Sequence, residues 1–275
     1  MTTTLLTHEW LRTRSALGAF FGIVALVVVL GSLLGATDWP LLAVLGYLLA
    51  GFGVFALVPA TQLILAADYW RSGYGRTGYF THSIPARGST IYRAKLLWSV
   101  IASAAALVLT VLLGLVFWWA VARNTGVPAP SWSVVSDMLT AVSDALPAWL
   151  IVVGLVVGLA AVLLTPVYYY FSVSLGLEAR FAGLGVGGPI VVFVVLYIVV
   201  QLLSLLGMVV LPFGIGPAGD QTVGFVSFNL VTEMSKGAQG NSDVLPIGFV
   251  VAMAALTVYC IWRTARSWNR HVSLS

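Results

Sequence analysis

Few side chains in this sequence could carry out chemistry, and their spacing excludes most of what they could do. The 275 residues include 13 Lys and Arg, 9 Asp and Glu, three His and one Cys. A phosphate-binding loop needs the pattern GxxxxGK[ST], in which backbone N–H groups and the lysine surround the phosphates. The two lysines, Lys95 in YRAKLL and Lys236 in MSKGAQ, both lack that setting. Any ATP hydrolysis is therefore expected in another polypeptide. Gly214, Gly216 and Gly219 spell GxGxxG. A dinucleotide site, however, requires a strand before that pattern and a helix after it within a βαβ unit, whereas here it follows a long apolar run. His8, His82 and His271 lie far apart, with no cysteine or carboxylate cluster beside them, so no metal site is expected. The patterns HExxH and GxSxG and paired carboxylates are missing. Cys260, alone, cannot form an intrachain disulfide and reads as a small core residue. The chain is expected to be no enzyme and to hold no catalytic, cofactor or metal site of its own.

What charge there is gathers in one segment. Residues 68–94 and the adjoining Lys95 place Arg71, Arg76, Arg87 and Arg93 among Tyr, Phe, Gly and Pro. Topogenic charge explains the arginines but not the interleaved aromatic, Gly and Pro residues. A second mixed segment, residues 5–17 (LLTHEWLRTRSAL), sets Glu9, Trp10, Arg12 and Arg14 among leucines. That is the composition of an interfacial helix, and equally that of an ordinary charged flank. The basic and aromatic tail IWRTARSWNRH reads as a membrane anchor. Polar residues inside the apolar runs are sparse. Gln62, Tyr168, Tyr169, Ser172 and Gln201 are candidates to line a pathway. They are also what helix-to-helix contacts and an aromatic belt would use.

These residues must be positioned by membrane helices. The chain is 60% apolar and only 8% charged, against about 25% charge in a soluble domain. The apolar residues form unbroken runs rather than stripes. Six spans are predicted, at residues 15–36, 40–67, 95–122, 146–175, 185–211 and 245–262, giving an all-α polytopic membrane protein of one domain. The first run exceeds a signal-peptide core and is expected to be retained. With the N-terminus inside, eleven of the thirteen Lys and Arg fall on the inner side, leaving only Arg123 and Lys236 outside. Both termini are therefore expected in the cytoplasm. The net charge of +4 lies in short loops beside apolar runs, so membrane lipid rather than nucleic acid is the expected contact. The spans carry no Asp, Glu, Lys or Arg at mid-depth, which argues against proton coupling and charged channel rings. Outside, Ser131 is placed to cap a short amphipathic helix. Residues 212–244 contain a mixed stretch, TVGFVSFNLVTEM, that is half apolar and too short to span, as a re-entrant or interfacial element would be. GSLLG (Gly31, Gly35) and GLVVG (Gly154, Gly158) match small-xxx-small packing.

This layout resembles the permease subunits of ABC-2 type transporters. In many bacterial members the loop between the second and third spans runs from an aromatic-basic start through a Gly-aromatic centre to a Leu/Ile-Pro-x-x-Arg turn and a Lys. Tyr69 and Arg71 correspond to the start, Gly75, Arg76, Gly78, Tyr79 and Phe80 to the centre, and Ile84, Pro85 and Arg87 to the turn before Lys95. The resemblance implies an interfacial N-terminal helix and a coupling helix in the loop, with Arg71, Tyr74, Arg76, Tyr79, Phe80, His82, Pro85 and Arg87 meeting a separate ABC ATPase. It also implies a dimer with a second copy or a paralogue, ATP and Mg held by the partner ATPase, and a place in the bacterial cytoplasmic membrane. The implied activity is ATP-driven export of an amphiphile, peptide, lipid or drug-like molecule. An immunity or binding protein of the membrane, or a non-ABC secondary transporter, is the competing expectation.

Overall fold

In a bilayer every backbone N–H and C=O must be satisfied within the protein, which leaves an apolar chain of this kind only helices or a closed barrel. The computed structural model describes residues 2–75, 86–178, 184–185, 187–217, 223–236 and 244–270. Among them are six helical stretches long and apolar enough to cross a membrane, so this is a multi-pass helical protein. The chain divides into two compact units, Met1–Met138 and Leu139–Ser273.

The first unit is built on three long helices: α1 (Thr2–Gly35), α2 (Pro40–Gly73) and α3 (Gly88–Thr125). Each packs on the other two. Pro40 opens α2, where its missing N–H costs nothing. Gly126, in the left-handed conformation at φ 72°, stops α3. The expected helix at residues 5–17 is the first part of α1 rather than an element of its own, continuous with the first apolar run. At 1.5 Å per residue the 38 residues of α3 reach about 57 Å, well beyond a hydrocarbon core of about 30 Å. These helices therefore project past the apolar zone.

Small residues bring α1 and α2 together. A Cβ on Gly46 would lie 2.2 Å from the Gly35 nitrogen and 2.4 Å from the Gly31 oxygen. The GSLLG motif is thus a close-packing seam inside the unit. A methyl group on Gly154 or Gly158 of the second motif would meet nothing within 4 Å, so that motif makes no close contact among the described residues.

Helix α4 (Trp132–Ala145) has no buried residue. Ser131 caps it as the sequence predicts, its Oγ accepting from the Val134 N–H at 3.3 Å. The second unit contains α5 (Ala148–Leu163), α6 (Thr165–Gly176), α7 (Gly187–Val210) and α9 (Gly248–Arg270). The expected fourth span is thus interrupted at Leu164, because Pro166 cannot donate to the helical ladder there. Helices α6, α7 and α9 pack on one another, whereas α5 buries only Leu150. The tail read as an anchor is the last part of α9, with Thr264, Ser267 and Trp268 buried.

Residues 212–244 depart from the all-helical expectation. Their described part forms β1 (Phe213–Pro217), β2 (Val223–Ser227) and a short helix, α8 (Leu230–Ser235). With β3 (Leu245–Pro246) the strands make an antiparallel sheet in the order β2-β1-β3. The register sets Ile215 opposite Phe225 on one side and Leu245 on the other. A strand pair stands where composition suggests a re-entrant or interfacial segment. Gly214 and Gly216 owe their identity to this sheet, since a Cβ on either would strike Val244 at 2.4 and 2.6 Å. The GxG spacing reflects packing rather than a phosphate site.

Candidate functional site at the base of the charged loop

The polar residues that the structure gathers lie where α1 starts, α2 ends and α3 starts. All three are just outside the apolar runs of their helices. On α1, Glu9, Thr13 and Leu17 recur at four-residue spacing and are buried, one stripe of a 3.6-residue helix. On α3 the buried stripe passes through Ile91, Lys95, Trp98 and Ala102. On α2 it includes Leu65, Tyr69 and Ser72.

Four charges close into one network. The Lys95 Nζ donates to Glu9 Oε1 at 2.9 Å and to Ser72 Oγ at 2.9 Å. Lys95 is 2% exposed and Glu9 7%. Arg12 bridges outward from there. Its Nη1 donates to Glu9 Oε1 at 3.2 Å and its Nε to Asp68 Oδ1 at 3.1 Å, and its Nη2 reaches both carboxylates. Two anions and two cations leave the cluster neutral, as a buried ionic group must be. A second layer supports it. Thr13 Oγ1 donates to the Glu9 carbonyl at 2.9 Å and accepts from Trp98 Nε1 at 3.0 Å. Trp10 sets its ring edge-on to Trp98 with centroids 5.5 Å apart.

The network joins three helix ends and flanks both ends of the loop, residue 75 on one side and residue 86 on the other. Its carboxylates are committed to cations, and the Ser72 hydroxyl, which accepts from Lys95, donates to the Asp68 carbonyl at 2.7 Å. What the network does in the fold is tie three helix ends together. Displacing α3 at Lys95 pulls on Glu9 of α1 and Ser72 of α2, because separating a buried pair exposes uncompensated charge.

Of the loop residues expected to meet a partner, Arg76, Tyr79, Phe80, His82 and Pro85 lie outside the described residues. Arg71 is exposed on the last turn of α2. Tyr74 is buried with its ring against Tyr69, centroids 6.1 Å apart. Arg87 is exposed at the N-cap of α3, and its carbonyl accepts from the Thr90 N–H at 2.8 Å. In the N-terminal segment Glu9 and Arg12 are network members, Trp10 is half exposed and Arg14 is exposed.

The pathway candidates take separate roles. Gln62 is buried in the first unit, its Nε2 3.5 Å from Ser103 Oγ across α2 and α3. In the second unit the Tyr168 hydroxyl meets Thr257 Oγ1 at 2.7 Å, and Tyr169 stacks on Phe193 at 5.4 Å. Ser172 is buried and donates to the Tyr168 carbonyl at 2.8 Å, while Gln201 is exposed on α7. A second ionic clamp closes this unit: Glu178, just past α6, accepts from Arg263 Nη2 and Ser267 Oγ of α9, each at 2.8 Å.

Asp68, Ser72, Lys95 and Glu178 complete these clusters without standing out in the sequence, where Lys95 is one of the loop cations. The signal that marks Lys95 is its place on the same helical face as Ile91, Trp98 and Ala102 of α3. Among the described residues no group of three or more His, Cys, Asp and Glu could hold a metal ion. No family model, curated protein or solved structure matches the chain.

Proposed function

We propose that this chain is the membrane-spanning subunit of an ATP-driven transporter of the ABC-2 type, exporting an amphiphilic, peptide, lipid or drug-like molecule from a bacterial cell. Both termini and the loop at residues 68–94 face the cytoplasm. An ABC ATPase carrying ATP and Mg docks on that loop, and a second copy or a paralogue completes the permease. The observation that carries this reading is the buried network Glu9–Arg12–Asp68–Lys95. It makes the two helix ends flanking a basic, aromatic loop into one rigid seat. A loop that receives a stroke from outside the bilayer needs such a seat, and topogenic charge alone does not. The uncharged mid-spans and the lack of a P-loop support an external energy source.

The test is reconstitution of the purified chain in nanodiscs with a candidate ABC ATPase from the same organism. The expected result is a stable complex whose ATP turnover changes on assembly. Arg76→Glu combined with Tyr79→Ala is expected to abolish association while leaving the membrane chain monodisperse. An unchanged complex with that double variant would remove the loop as the docking element.

A further inference from the structure

Helix α4 sorts its side chains by face. At about 100° per residue, Trp132, Val135, Met138, Leu139 and Val142 fall on one arc, while Ser133, Asp137, Thr140 and Asp144 fall on the opposite one. The apolar arc stays open among the described residues. Trp132 is 80% exposed, Leu139 60%, Met138 53% and Val142 44%. At 14 residues the helix is about 21 Å long, too short to cross a hydrocarbon core of about 30 Å. It can lie on a membrane but not span one.

Both of its tethers hold it at the membrane border. Before it, Gly126 reverses the chain at φ 72° where α3 stops. The connection then folds back along α3, because Trp118 Nε1 donates to the Pro128 carbonyl at 3.1 Å. Trp118 stands seven residues inside the end of α3 at Thr125, about 10 Å back along its axis. Beside it Trp119 lies under the Arg123 guanidinium at 5.5 Å, the pairing of aromatic ring and cation that marks an interface belt. After α4, only Leu146 and Pro147 precede α5, which is apolar from its first turn and buries only Leu150. A helix strung between these two points cannot leave the headgroup zone by more than the length of short linkers.

We propose that α4 is a membrane-surface helix whose occupant is the lipid bilayer itself, with Trp132, Val135, Met138, Leu139 and Val142 sunk about 5–10 Å into the boundary between headgroups and acyl chains. Asp137 and Asp144 face water. The helix carries no Lys or Arg, so apolar area and not attraction to anionic headgroups holds it there. Zwitterionic lipid therefore suffices. The inference concerns the segment joining α3 to α5, holds whichever side of the membrane that segment occupies, and is independent of any ATPase at the charged loop.

The experiment uses the full chain with Cys260→Ser in phosphatidylcholine nanodiscs, with a nitroxide spin label on single cysteines. Collisions with oxygen, which concentrates in lipid, are compared with collisions with a water-soluble nickel chelate. With Leu139→Cys and Val142→Cys oxygen is expected to dominate, and with Asp137→Cys and Asp144→Cys the order should invert. All four positions are exposed, so the labels displace no packed side chain. Leu139→Asp joined to Val142→Asp should shift a label on Met138→Cys from oxygen-dominated to nickel-dominated. If that variant does not fold, the cysteine series decides alone. Nickel dominance on both arcs would place the helix in water and overturn the proposal. Low collision with both reagents at Leu139→Cys and Val142→Cys would mean a protein cover, a second copy included, and overturn it equally. Oxygen dominance that appears only after phosphatidylglycerol is added would make charge the driving force and overturn the apolar seat.

Discussion

Lys95 and Glu9 illustrate how a buried ion pair behaves when one partner is removed. With Lys95 2% exposed, Lys95→Met leaves Glu9 facing Arg12 alone in a dry setting, and a loss of about 3–5 kcal/mol is expected. Joining Glu9→Gln to it removes both charges, and most of that loss should return, since a well-packed neutral replacement is near neutral in cost. Thermal unfolding of single and double variants in detergent reads the difference. If the double variant is as unstable as the sum of the singles, Glu9 and Lys95 do not act as a pair. Arg12 differs, being partly exposed and shared between Glu9 and Asp68, so Arg12→Gln is expected to cost less than Lys95→Met.

Among the elements, the contact of α1 with α2 depends on glycine for backbone approach. Gly46→Ala would place a methyl 2.2 Å from the Gly35 nitrogen, which forces the helices apart at a cost of about 1–3 kcal/mol. Gly154→Ala meets nothing and should be neutral or stabilising by up to about 1 kcal/mol through helix propensity. The pair of variants, followed by thermal unfolding, separates a packing glycine from a permissive one. Sequence alone treats GSLLG and GLVVG alike, because the motif names spacing and not what faces it. The break in the fourth span was legible in principle from Pro166. The sheet at β1–β3 was not, because its strands are short, rich in Gly and paired across segments with no strong alternation.

For the whole molecule, the placement of charge makes a topological prediction. In a Cys260→Ser background, a cysteine at Ser83 should resist an impermeant thiol reagent in intact cells, and one at Asp38 should react. Reaction at Ser83 would reverse the proposed orientation and remove the cytoplasmic loop with it. Each unit carries its own ionic clamp beside the end of an apolar stretch: Glu9, Arg12, Asp68 and Lys95 in the first, Glu178, Arg263 and Ser267 in the second. Cations that look alike in a charge count therefore divide into paired ones, such as Lys95 and Arg263, and exposed ones, such as Arg14 and Arg87.

By itself the sequence determined the six apolar helices, the cap at Ser131 and the lack of a phosphate-binding pattern. These are local properties, set by hydropathy over some twenty residues and by the spacing of a few side chains. The tertiary structure alone decided that Lys95 meets Glu9 across 86 residues and that Arg263 meets Glu178 across 85. It also decided that the α1 segment holding Glu9 is one with the first membrane helix, and that α5 buries only Leu150. Pairing of this kind depends on which helix faces meet, and a one-residue shift in register along a helix turns a side chain by about 100°, from the seam to the outside.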